Sequence, residues 1–183
     1  MNHVVVLVGG RNAGKSSILR SLCCVELGES LVKAKQKIYL NFKDKRLLVF
    51  IMSSSPQEKL KKLDFCQFEK VIKTLKDFIN SRQRRAGSET EFMLLIAFTF
   101  EVNRAGELGE NCIIKPLDFL KGLPDYKVHV VHIVKRDDIP SASRINDFIA
   151  QNMNIELTLE SEETAKGRQD ENARKLKDFL GQL

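Results

Sequence analysis

The chain has 183 residues, 43% of them hydrophobic and 30% charged, with a formal net charge of +6. That length carries one domain with a buried core, and no apolar run approaches the roughly 20 residues that span a bilayer. The apolar stretch near the start, Val4 to Val8, has no basic region before it and runs into glycines, which excludes a secretion signal and predicts a cytoplasmic protein with no membrane contact.

The cysteines agree with that compartment. Cys23 and Cys24 are adjacent, Cys66 and Cys112 are distant, and no Cys-x-x-Cys pair occurs. His3, His129 and His132 make no metal-ligand spacing with them, so reduced thiols are expected. The charge is uneven: Lys33 to Arg85 holds fifteen Lys/Arg against five Asp/Glu, whereas Asn154 to Leu183 is mildly acidic. A basic 33–85 region suits an RNA or protein partner. The same lysines fit solvated helix faces, and no aromatic–basic RNA motif accompanies them.

In chain order, Val4–Val8 reads as a strand buried on both faces. Ile18, Leu19, Leu22 and Val25 then recur at helical spacing over Lys15–Leu27, with Gly28 as the stop. Lys37–Phe42 alternates, Leu47–Met52 is continuously apolar, and only Lys43 to Arg46 separates them. A parallel crossover needs about a dozen residues, so the pair must be an antiparallel hairpin. Phe65, Phe68, Ile72, Leu75 and Ile79 predict a helix over Asp64–Asn80, with Asp64 as N-cap.

Ser81–Glu91, with Arg82, Arg84 and Arg85, reads as a polar loop, Phe92–Phe100 as a buried strand and Asn103–Glu110 as a loop. A short helix is expected at Lys115–Lys121 with Pro116 in its first turn. Lys127–Val134 reads as a strand, followed by a helix capped by Ser141 or Ser143. Ile155–Leu159 suggests a last strand, Ser161–Gln169 a polar loop, and Asp170–Leu180 a closing helix. Strands alternating with helices predict a single three-layer α/β/α sandwich, its sheet mostly parallel with one antiparallel strand.

The stretch Gly9-Gly10-Arg11-Asn12-Ala13-Gly14-Lys15-Ser16-Ser17 meets the pattern Gly-x-x-x-x-Gly-Lys-Ser between a buried strand and a helix, the context that pattern requires. Glycines let successive backbone N–H groups converge on an anion, and the helix adds its positive end. Gly9, Arg11, Asn12, Ala13, Gly14, Lys15, Ser16 and Ser17 are therefore the candidate phosphate-binding residues. The Lys15 ammonium would reach the β- and γ-phosphates, and the Ser16 hydroxyl would take one Mg²⁺ position.

The wording Val-Gly-Gly-Arg-Asn-Ala-Gly-Lys-Ser-Ser-Ile-Leu resembles the P-loops of translation-factor-class GTPases in the P-loop NTPase superfamily, especially Era-, EngB- and TrmE-like members. In that class the second strand is antiparallel and hairpinned to the third, as the Lys43–Arg46 turn requires here; nucleotide kinases have an all-parallel core. The resemblance implies a guanine-reading Asn-Lys-x-Asp after the fifth core strand. Lys135 and Asp137 match it, Val134 replaces the Asn, and the loop is loosely similar to that of AIG-type GTPases. It also implies Asp-x-x-Gly at the end of the third strand, where this chain has Ser53-Ser54-Ser55-Pro56; Glu58 is the first carboxylate beyond.

Together these features predict a Mg²⁺-dependent, GTPase-like nucleotide-binding protein, taking GTP/GDP ahead of ATP/ADP, with hydrolysis weak or dependent on a partner. No catalytic residue is assigned. The alternatives are a small-molecule or nucleotide kinase using ATP, and a non-catalytic regulatory or RNA-associated nucleotide-binding module.

Overall fold

Continuous apolar runs need cover on both faces, and a central parallel sheet supplies it. The computed structural model describes residues 2–31, 33–56, 68–87, 91–100, 111–135, 140–161 and 166–183. Asp64, the loop Asn103–Glu110, Glu58, Cys66 and Asp137 lie outside these residues. The elements are β1 (Asn2–Gly10), α1 (Lys15–Leu27), β2 (Lys37–Asn41), β3 (Arg46–Met52), α2 (Phe68–Ala86), β4 (Phe92–Phe100), α3 (Asn111–Lys121), β5 (Tyr126–Lys135), α4 (Pro140–Asn152), β6 (Leu157–Ser161) and α5 (Lys166–Gln182).

The strand order is β2-β3-β4-β1-β5-β6, and β2 pairs antiparallel to β3 while every other pairing is parallel. The hairpin follows the sequence reading, as does the α/β class. The two faces of the sheet carry separate cores. Val5, Leu7, Val49, Leu95 and Val131 pack against Ile18, Leu22, Ala173 and Leu176 of α1 and α5. Val4, Val6, Val8, Leu94 and Phe98 pack against Val71, Leu75, Leu120, Ile145 and Ile149 of α2, α3 and α4. The period-2 pleat makes this division, since neighbours along one strand face opposite layers.

Several boundaries differ from expectation. Arg82, Arg84 and Arg85 are helical: α2 runs on to Ala86 and ends before the left-handed Gly87. Arg82 and Ala86 continue the buried stripe of Phe78 at four-residue steps, which their composition concealed. Pro116 lies inside α3, not in its first turn. The fourth helix starts at Pro140, ahead of both expected serine caps. The last strand is Leu157–Ser161, two residues later than expected, with Leu159 and Ser161 buried in alternation. Its helix starts at Lys166, so Gln169 is helical as well.

Candidate functional site

The loop leaves the carboxyl end of the central strand β1. Helix α1 takes the chain to one face of the sheet, whereas α3 after β4 and α4 after β5 cover the other. Connections that diverge from adjacent parallel strands open a crevice at their carboxyl ends, where ligands bind in open α/β sheets. The ends of β1, β3, β4, β5 and β6 all lie along this edge.

Within the loop, the Ala13 amide donates to the Gly10 carbonyl at 3.2 Å. That closes a turn with Asn12 in the left-handed region at φ 59°. Gly14 is also left-handed, at φ 82°, and stands as the N-cap of α1 without a side-chain cap. The Ile18 amide reaches the Gly14 carbonyl at 2.9 Å. The amides of Lys15, Ser16 and Ser17, ahead of it, have no carbonyl a turn earlier in the helix. No acid occupies the first turn of α1 and its N-cap makes no side-chain hydrogen bond, so the positive helix end suits an anion.

Lys15 is buried at 5% exposure. Its Nζ donates to the Gly9 carbonyl at 3.0 Å and the Gly10 carbonyl at 2.6 Å. The ammonium therefore lies across the mouth of its own loop. Ser16 Oγ donates to the Ser53 carbonyl at 2.7 Å, joining the helix start to the end of β3. Ser55 is buried, and its Oγ accepts the Thr99 amide at 3.1 Å. The serine cluster thus divides: the Ser53 carbonyl meets the loop, while Ser55 ties β3 to β4.

Tight packing fixes the loop from behind. A Cβ on Gly9 would sit 2.7 Å from the Ile133 carbonyl oxygen, and one on Gly14 would sit 2.5 Å from Ser161 Oγ. Gln169 Nε2 donates to Ser161 Oγ at 3.3 Å. Its buried Oε1 has no hydrogen-bond partner among the described residues. The sequence reading placed Ser161 and Gln169 in a polar loop and missed both. A signal existed: Ser161 continues the Leu157/Leu159 alternation, and Gln169 stands one helical turn before the buried Ala173.

Lys135 ends β5 and pairs in register with Ser161, which brings that strand end beside the loop. The expected base-reading partner, Asp137, lies two residues beyond, outside the described residues. Arg11 and Asn12 are exposed at the loop's tip, whereas Ala13 is buried.

The donor set fits a phosphate chain. Uncapped amides, a left-handed N-cap and a lysine ammonium converge on one end of the sheet. For Mg²⁺, the Ser16 hydroxyl and the Ser53 carbonyl are hard oxygens of the type it takes. No cluster of three or more His, Cys, Asp or Glu suited to a metal occurs among the described residues. Also among these residues, no helix is long and apolar enough to cross a membrane.

Elsewhere, His129 Nδ1 lies 2.8 Å from Glu156 Oε2, and His129 Nε2 lies 2.9 Å from His3 Nδ1. This chain is at the amino ends of β1 and β5, away from the loop. Burial, then the neighbouring charges of His129, Lys127 and the N-terminus, holds His3 below its usual pKa against a smaller opposing effect of Glu91. Compared with protein-family models, curated proteins and solved structures, the chain matches none.

Proposed function

We propose that this chain binds a nucleoside triphosphate through the loop Gly9–Ser17, prefers GTP, and hydrolyses it weakly unless a partner completes the site. The observation that carries the reading is the loop itself: left-handed Asn12 and Gly14, an uncapped α1, and Lys15 Nζ held over the mouth by two loop carbonyls. On binding, the ammonium exchanges those carbonyls for phosphate oxygens, and the amides of Lys15 to Ser17 take up the remaining charge. The Ser16 hydroxyl is the metal-facing group, and bound Mg²⁺ would neutralise phosphate charge. The antiparallel β2–β3 pair favours a GTPase-like arrangement over a kinase core. Lys135 at the end of β5, with Asp137 two residues on, supports guanine.

Weak hydrolysis follows from what stands after β3. Phosphoryl transfer depends on positioning and on charge neutralisation. Here the Ser53 carbonyl meets Ser16, and the Ser55 hydroxyl is engaged by the β4 backbone.

The test is calorimetry with GTP, GDP, ATP and ADP, with and without Mg²⁺. The wild type should bind GTP, and Lys15→Ala should abolish binding while keeping its far-UV spectrum. Unchanged affinity in Lys15→Ala would overturn the phosphate site. Asp137→Asn should weaken GTP and spare ATP; equal effects on both would remove the guanine preference.

A further inference from the structure

A second surface stands at the opposite end of the sheet edge. In β2, Ile38 and Leu40 enter the core shared with α1 and α5, so Lys37 and Tyr39 face the α2 side. Their register partners Phe50 and Leu48 project there too, and Arg46, two residues before Leu48, follows on the same side. β2 is one of the two edge strands of the described sheet. On this face the Arg46 guanidinium lies over the Tyr39 ring, 4.0 Å from its centroid. Lys37 Nζ lies 5.4 Å from the same ring and 5.8 Å from that of Phe50. Arg82 of α2 reaches in from beneath, 5.6 Å from Phe50 and 5.0 Å from Phe78.

Arg82 is only 9% exposed, its Nη2 donates to Gln36 Oε1 at 3.3 Å, and its Nε has no partner among the described residues. Arg85 stands close enough to disfavour the Arg82 charge further. Among the described residues, none of Lys37, Arg46, Arg82 and Arg85 is ion-paired with a carboxylate. Burying a cation with no acid beside it is costly; Lys37 and Arg46 flank the half-buried Tyr39 ring, and Lys37 and Arg82 share the ring of Phe50.

We infer that the Lys37–Tyr39–Arg46 face, backed by Arg82, is a binding surface for single-stranded RNA. The chemistry selects that partner. Cations along the strand edge suit a phosphate backbone, and a planar guanidinium stacked on an aromatic ring offers flat surface for an unpaired base. An acidic peptide would use the charge and leave the stack unused. A bilayer would require protruding aliphatic side chains, and the exposed residues on this face are Lys37 and Arg46. In register, Phe50 is level with Val4, five residues before Gly9. Five strand residues span roughly 16 Å, so the surface is separate from the loop and its occupancy does not depend on nucleotide.

Fluorescence anisotropy with a labelled twelve-base oligouridine at low salt tests this on the full chain. The wild type should bind, with affinity falling as salt rises. The double variant Lys37→Glu/Arg46→Glu should lose at least tenfold, while Lys121→Glu, at the exposed end of α3, should bind as the wild type. Tyr39→Leu keeps apolar bulk and every charge, and should still lose roughly tenfold through the missing stack. If its far-UV spectrum shows unfolding, Arg46→Met at an exposed position makes the same test against Lys37→Met. Arg46→Met should then lose more than Lys37→Met. Three results would overturn the inference: no binding at low salt, equal binding to polyglutamate or to anionic vesicles, or wild-type affinity in the variants of this face.

Discussion

Lys15 shows how one residue can be both legible and surprising. Its type and spacing announce a phosphate ligand, yet its ammonium rests on the Gly9 and Gly10 carbonyls, a bond pair visible only in the folded loop. The two adjacent glycines are unequal for the same reason. At Gly9 a methyl would meet the Ile133 backbone carbonyl at 2.7 Å, whereas at Gly10 the nearest atom is the Ile145 Cδ1 methyl at 3.6 Å. A backbone oxygen in a central strand cannot retreat; a methyl at ordinary contact distance need not. Gly9→Ala should therefore lose about 1–3 kcal/mol, and Gly10→Ala should stay within about 1 kcal/mol of wild type. Urea denaturation measures both, and equal midpoints for the two variants would refute the difference. Asp137 follows from a Lys-x-Asp match straight after a strand, whereas Ser161 and Gln169 are marked only by their spacing from Leu159 and Ala173, which a serine and a glutamine in a charged stretch do not advertise by type.

Between elements, one carboxylate joins three. Glu26 of α1 accepts from the Asn41 amide at 2.8 Å, from Asn41 Nδ2 at 2.7 Å and from Lys177 Nζ of α5 at 2.6 Å. Burial pushes its carboxyl up, but the Lys177 and Asn41 hydrogen bonds with the Lys177 charge outweigh it, and the pKa lies below the usual value. Its side chain is 4% exposed and that of Lys177 is 25% exposed. Lys177 can recover water once the acid is gone, so Glu26→Ala should cost about 2–3 kcal/mol, near the value for charged hydrogen bonds. A depressed carboxyl pKa stabilises above the unfolded value and loses that contribution as pH falls through the folded one. The gap between wild type and Glu26→Gln should therefore close below about pH 4. A gap constant from pH 7 to 3.5 in urea unfolding would exclude this role. Element types were largely legible because strands and helices differ in apolar period. The end of α2 was not, because Arg82 is buried by stacking on Phe50 and Phe78 rather than by hydrophobicity.

At the scale of the whole molecule, the sheet separates the edge that carries the Gly9–Ser17 loop from a basic face, and buried histidines link the fold to pH. His132 is 3% exposed and its Nε2 meets Asn146 Oδ1 at 3.3 Å. Burial lowers its pKa from 6.5, and the Asn146 contact offsets only part of that. His3 is lowered as well. Both groups stabilise fully above the unfolded pKa and lose that contribution as pH falls below it, because the unfolded chain takes protons first. Stability should drop between pH 7.5 and 5.5, and His132→Gln should show a shallower drop; parallel slopes by urea denaturation would remove His132 as a cause. The chain's own order of residues determined the α/β alternation, the hairpin and the cradle, because apolar period, turn length and a contiguous glycine motif are local properties. Only tertiary structure decided that Ser161 and Gln169 back Gly14, that Ser53 meets Ser16, and that Lys37, Tyr39, Arg46 and Arg82 converge. Those meetings depend on strand order and register, which bring together residues far apart in sequence whose types alone carry no mark of their partners.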